Sequence, residues 1–378
     1  MIKKIIENKE KKVEYIELIY DLIFVYIIGR NNSLLHNITG GFFDFSAFAS
    51  YVFCTLAVIK IWTFTTYYIN VYGKKSIREH ISLFINMFLL YFMAQGTGEH
   101  WRDYVVQYHI AWALILVNIG IQYLFEYFNH TEPVHKKRSA TMATILFCEA
   151  VAVILSLVVY SFTSLTYISI GAILLGVTAV VISSKHNCSA VVDFAHLSER
   201  IMLYVVFTFG EMIIAGASYF EGKMSFSSVY FALMAFLIVA GLFLSYGIFY
   251  DNIINKEMQT NGIAYMISHI VIIFALNNIT SSLEFMRDEE VALIPKISFL
   301  IISFTLYYIF LFISGVFANK KGKADKRLLI VIAASSVIFS ALMLILRNNM
   351  YFNIALSVVY VFSLFLLTYY IVKKKNNG

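Results

Sequence analysis

The chain has 378 residues, 60% of them hydrophobic and 14% charged, with a formal net charge of +6. A soluble domain averages about 45–50% apolar and about 25% charged, so a water-soluble globule is excluded. The basic excess falls in loops, where it reports membrane orientation and gives no reason to expect nucleic acid.

Apolar runs of about 20 residues recur along the chain, the length of a membrane-crossing helix, while the alternating segments of a β-barrel are missing. The expected architecture is an all-α polytopic membrane protein with about 12 transmembrane helices. Hydropathy places them near 15–34, 45–71, 79–96, 104–128, 140–161, 163–184, 199–220, 227–250, 262–284, 295–318, 327–346 and 350–372.

The first span, "EYIELIYDLIFVYIIGR", carries Glu14, Glu17 and Asp21 on one helical face. The second holds Lys60 and closes with "WTFTTYYIN", which contains Tyr68 and Asn70. Glu149 lies inside the fifth, and only "SFTSL" divides the fifth from the sixth. The seventh carries Arg200 and Glu211, the eighth ends in "LSYGIFYDN" with Asp251, and the ninth contains His269. Of the two prolines, Pro133 is expected in a loop and Pro295 at a helix start. Helix breaks are then left to glycines such as Gly210, Gly216, Gly241 and Gly247.

Most of the 29 lysines and arginines fall in one set of alternating segments, among them Lys74, Lys75, Arg78, Lys136, Lys137, Arg138, Lys320, Lys321, Lys373 and Lys374. The positive-inside rule then puts both termini in the cytoplasm. No cleavable signal is expected, because the basic start leads directly into the first span. At an offset of 182, Tyr68 falls on Tyr250, Asn70 on Asn252 and Glu17 on Glu199. This suggests a parallel 6+6 repeat with halves 1–184 and 185–378 in one membrane unit.

A charge at a helix centre costs roughly 2.5–3.5 kcal/mol on insertion scales. Asp21, Lys60, Glu149 and Glu211 should therefore be paired inside the bundle. Counting about 1.5 Å per residue places Lys60 and Glu211 near the midplane and Asp21 and Glu149 closer to the cytoplasmic edge. The expected pairs are Lys60 with Glu211, and Arg200 with the Glu17/Asp21 stripe. His186, Cys188, Asp193 and His196 fit no standard zinc spacing, and Cys54, Cys148 and Cys188 form no disulfide framework. No metal and no cofactor are expected. Glu99, His100 and Asp103 read as a solvated outer loop.

Four stretches in order resemble the bacterial low-temperature-requirement A family. They are "ELIYDLIFV" from Glu17 to Val25, "WTFTTYYIN", "HLSERIMLYVVFTFGEMI" with His196, Glu199, Arg200, Gly210 and Glu211, and Phe249-Tyr250-Asp251 followed by His269. The chain departs from the family pattern at Gly29-Arg30, Met212 and Tyr246-Gly247, and beyond about residue 270 it is similar only as generic spans. The first motif also looks like the Phe-Ser-Asp helix of a potassium-channel family built from six-helix repeats, without its pore-lining serine. The resemblance implies an integral protein of the bacterial cytoplasmic membrane, and implies no established molecular activity.

The function expected from the residues is transport of an ion or small solute through the lipid bilayer. Its path would be lined by Glu17, Asp21, Lys60, Arg200 and Glu211, with Tyr68, Asn70, Asp251 and His269 as further candidates. An alternative is a membrane-embedded enzyme or lipid-handling protein working at the cytoplasmic rim through Glu17, Asp21, Arg200 and Asp251. A scaffold binding other membrane proteins is a third.

Overall fold

In hydrocarbon every backbone N–H and C=O must be bonded within its own segment, so long apolar runs become helices. The structure, a computed structural model, describes residues 13–95, 101–186, 192–220, 224–317 and 326–376. Its helices are α1 Tyr15–Asn31, α2 Phe45–Tyr72, α3 Ile77–Gln95, α4 Trp101–Asn129, α5 Pro133–Thr163 and α6 Ser169–His186. They continue as α7 Phe194–Ala215, α8 Phe226–Ile248, α9 Ile263–Phe285, α10 Leu293–Ser314, α11 Lys326–Ile345 and α12 Met350–Asn376. Among the described residues, nine of these, with their flanking turns, are long and apolar enough to cross a membrane, and residues 169–183 of α6 and 330–345 of α11 form shorter apolar helices.

Local chemistry sets the boundaries. Asp44, Asp193 and Ser225 cap α2, α7 and α8, each side chain accepting a hydrogen bond from a backbone N–H of the first turn. Pro133 is not in a loop: it opens α5, where its missing N–H leaves nothing unsatisfied. Ser164, within "SFTSL", ends α5 in the left-handed conformation at φ 56°. Gly216 begins a 3-10 turn after α7, and a single π-turn at Phe249–Ile253 follows Gly247. Gly210 and Gly241 break nothing and lie inside continuous helices. A small antiparallel hairpin joins α1 to α2, pairing Ile38 with Phe43 and Thr39 with Phe42. Its turn is Gly40-Gly41, both at positive φ, the conformation that glycine adopts without strain.

The most enclosed helix is α2, which packs against α1, α4, α6, α7 and α9. Around it α1 meets α2, α3 and α7, α3 meets α4, α4 meets α5, and α5 meets α6. In the second half α7 meets α8 and α9, α9 meets α10, α10 meets α11, α11 meets α12, and α12 meets α8. Helix ends gather in two sets. At the end bearing the basic loops, Glu14 pairs with Lys75, Val192 N–H bonds Thr260 O at 3.1 Å and Asn255 N–H bonds Phe317 O at 2.9 Å. At the opposite end His36 meets Glu284 at 3.0 Å and Ala292 N–H bonds Gly41 O at 2.6 Å.

Gly241 lets α8 and α12 touch, since a β-carbon there would overlap the Val361 side chain. Gly241→Leu should force the two helices apart and cost about 1–3 kcal/mol. A thermal melt of the purified protein in detergent checks this, and an unchanged midpoint refutes it.

Candidate functional site: two buried charge centres

The Glu17/Asp21 stripe of α1 turns toward α7, as its helical spacing predicts. Arg200, fully buried in the second turn of α7, places Nη2 2.8 Å from Asp21 Oδ1 and Nε 3.3 Å from Glu17 Oε2. Trp62 of α2 donates its indole N–H to the same Asp21 oxygen at 2.7 Å. The guanidinium carbon lies 5.8 Å from the Trp62 ring, and Tyr204 packs against that ring at 4.5 Å.

One turn before Arg200, His196 sits on the same face of α7. Its Nδ1 lies 3.1 Å from Asn70 Nδ2, and its Nε2 faces Glu17 Oε2 at 3.5 Å. Because the amide nitrogen of Asn70 is a donor, Nδ1 accepts and Nε2 carries the proton toward Glu17. Asn70 also bonds both backbone groups of Asp193, at 2.8 and 3.1 Å, fixing the end of α2 to the start of α7.

The second centre faces the other way. Lys60 Nζ lies 2.6 Å from Glu149 Oε1 on α5 and donates to Ile173 O on α6 at 2.9 Å. A β-carbon at Gly176 would overlap both the carboxylate and the ammonium, so this glycine makes room for the pair.

The expected Lys60–Glu211 pair is therefore not formed, and the cause lies in helix phase. Lys60 and Trp62 are two residues apart, so about 200° separates them around α2. Trp62 takes the face toward α1 and α7, which turns Lys60 toward α5 and α6. Depth misled as well: the Lys60–Glu149 contact puts Glu149 at the level of Lys60 and not nearer the basic end. Glu211 instead lies toward the opposite end, half-buried against Gly29, where a β-carbon would overlap its carboxylate. There it lines a recess open to the surface with Tyr26, Arg30, His36 and Glu284.

The remaining candidates scatter. Tyr68 donates to Glu126 at 3.3 Å, in a network with Arg78 at 2.6 Å and Lys74 at 3.3 Å from the same carboxylate. Asp251 is exposed in the π-turn. His269 is buried and bonds the carbonyl of Tyr265 on its own helix at 2.9 Å, outside both centres. Asp193 caps α7 and Asp103 is exposed on α4, while Cys188, Glu99 and His100 lie outside the described residues. No group of three or more metal-ligating side chains occurs among the described residues.

Sequence reasoning missed Trp62, the inward turn of His196 and the Glu126 network. For His196 the signal was present, since it precedes Arg200 by four residues, one helical turn.

These features define a polytopic helical membrane protein with buried ion pairs that join separate helices. The model of a family described as bacterial low temperature requirement A protein (LtrA) matches residues 12–366. The chain belongs to that family. The match runs through the final spans, where the sequence showed no family motif of its own. No curated protein and no solved structure matches the chain.

Proposed function

We propose that the protein moves a small cation or proton, alone or coupled to a small solute, along the seam of α1, α2 and α7. One observation carries this reading: cavities approach α1 from both ends and stop on either side of the Asp21–Arg200 centre. At the basic end a narrow cleft is bordered by Glu14, Glu17, Tyr68, Lys75, Asn86 and Gln122. Thr65 and Asn86, which also border it, bond the Tyr20 hydroxyl at 3.1 and 3.4 Å, next to Asp21 in sequence. From the opposite end the cavity at Glu211 reaches Gly29 of α1. Glu17 and Gly29 are about 18 Å apart along the helix. Between them Asp21 and Arg200 are fully buried, as an occluded carrier requires.

The charge balance favours a cation. Glu17 and Asp21 against Arg200 leave one net negative charge when His196 is neutral. A proton or monovalent cation arriving at Glu17 neutralises the centre and loosens its contact with Arg200. That gives the two end states different energies and shifts their populations. Lys60 lies on the other face of α2 and is not part of this route.

A parallel 6+6 repeat, with halves 1–184 and 185–378, fits the packing. Each contact of α1 with α2 and α3, α3 with α4, α4 with α5, α5 with α6 and α2 with α6 has its counterpart six helices later. The first helices of the two halves, α1 and α7, meet at the proposed seam. The basic loops then orient both termini to the cytoplasm of a bacterial cell.

Reconstitution in liposomes tests the route. Imposed proton, sodium or potassium gradients should drive flux in the wild type, and Glu17→Gln and Asp21→Asn should abolish most of it. Both variants leave Arg200 one carboxylate partner, so folding is retained. Equal flux from wild type and both variants would overturn the proposal. Altered envelope lipids in a deletion strain, with no flux from purified protein, would favour the enzymatic or lipid-handling alternative.

A further inference from the structure

Four cations are buried among the described residues: Lys60, Arg138, Arg200 and Lys296. Three have anionic or carbonyl partners. Lys60 is held by Glu149, Arg200 by Asp21 and Glu17, and Lys296 by the carbonyl of Asp288 at 2.6 Å. Arg138, only 7% exposed, has no carboxylate within ion-pair distance among the described residues, and its Nε has no hydrogen-bond partner. Its polar neighbours are the phenols of Tyr67, Tyr123 and Tyr72, the last within hydrogen-bonding reach, and all three are neutral. A guanidinium so enclosed needs an anion.

The space beside Arg138 says what kind. A crevice open on its outer side runs between α6 and α9, with α2 and α5 behind it. Of its polar groups, Arg138, Thr141, Tyr67 and Ser183 lie toward the basic end of their helices and Asn261 just before α9, while Thr63 lies deeper with its hydroxyl bonded to Ile59 O of its own helix. Deeper in, Val177 of α6 and Ile267 and Ile270 of α9, all half-buried, form apolar walls. At its inner end Lys60 contributes its methylene stem, since its ammonium is already engaged. On α5, Arg138 and Glu149 are separated by about 16 Å of helix, which sets the length of the apolar part. An anionic head at one end and an apolar slot of this length behind it match a single amphiphile.

We infer that the crevice binds one anionic membrane phospholipid, its phosphate on Arg138 and one acyl chain lying between α6 and α9 toward Lys60. The phosphate supplies the missing partner to the guanidinium, a pairing that suits the planar fork of arginine. The chain covers the half-buried isoleucines and valines. A zwitterionic lipid would bring its own cation to Arg138 and bind less well. This site lies on the opposite face of α2 from the proposed transport seam and stands independently of it.

Native mass spectrometry of the full chain from detergent, supplied with phosphatidylglycerol or phosphatidylcholine, reads the proposal. The wild type should retain one phosphatidylglycerol per chain and little phosphatidylcholine. Arg138→Gln should weaken retention by about tenfold or more, the loss of a charge-assisted contact, while Arg138→Lys should recover part of it. Ile267→Trp, which fills the crevice and leaves the charge, should also expel the lipid. It serves as the second reading if Arg138→Gln folds poorly. Arg347→Gln, an exposed cation outside the crevice, should retain lipid as the wild type does. Equal retention of the two lipids, retention unchanged by both Arg138→Gln and Ile267→Trp, or binding of inorganic phosphate in place of lipid would overturn the inference.

Discussion

Arg200→Met is expected to leave little folded protein in the membrane. The substitution keeps an unbranched apolar stem in the second turn of α7, so packing changes little. What it removes is the cation facing Glu17 and Asp21, which are 3% and 0% exposed. Breaking a buried ion pair by deleting one partner costs about 3–5 kcal/mol, a large share of a total stability of about 5–15 kcal/mol. Here two carboxylates lose the same partner, and Trp62 can offer Asp21 only one neutral hydrogen bond. Adding Glu17→Gln and Asp21→Asn to Arg200→Met removes the stranded charges and should restore most of the stability while leaving transport abolished. Size-exclusion profiles and thermal melts in detergent separate the two proteins. If Arg200→Met alone melts like the wild type, the centre does not hold α1 to α7.

This expectation depends on features that were legible in the sequence. Membrane character follows from composition, and all twelve helices follow from hydropathy, because the helical solution is forced by the solvent. The Glu17/Asp21 partnership with Arg200 follows from helical phase and from the shared depth of the first and seventh spans. Partner choice for Lys60 was not legible. Depth narrows the choice of partner but does not fix the face, and a face can be assigned only once a neighbour such as Trp62 is known to occupy the other side. The seven residues by which α5 extends back to Pro133 are mostly polar or charged, and a hydropathy profile cannot register a helix that starts in polar residues. The Gly40-Gly41 turn was readable as a hairpin signal between apolar pairs, yet two-residue strands are too short to disturb a hydropathy profile.

The glycines show why interior charges need more than a partner. Gly29 admits the Glu211 carboxylate, and Gly176 admits both ends of the Lys60–Glu149 pair. In each case a backbone without a β-carbon lets a polar head sit against a helix, and at Gly176 a carbonyl of that helix also helps to satisfy the ammonium. Ile173 O does this for Lys60, three residues before Gly176 and so on the same face of α6. The charge and the glycine are therefore one structural unit, although neither suggests the other in sequence.

Gly176→Ala should accordingly be costly for an electrostatic reason as well as a steric one. The methyl would displace Glu149 from Lys60, stretching a 2.6 Å contact that is sealed from water. Overpacking alone costs about 1–3 kcal/mol, and loss of the buried pair adds toward the 3–5 kcal/mol of a stranded charge. The pair itself is expected to be replaceable. Lys60→Met combined with Glu149→Leu should be close to wild type in stability, whereas either change alone should be strongly destabilising. The decisive measurement is a cycle of thermal melts. In the Lys60→Met/Glu149→Leu background the electrostatic share of the Gly176→Ala penalty should vanish, leaving only the steric remainder. An undiminished penalty there would show that Gly176 serves helix packing alone and owes nothing to the ion pair beside it.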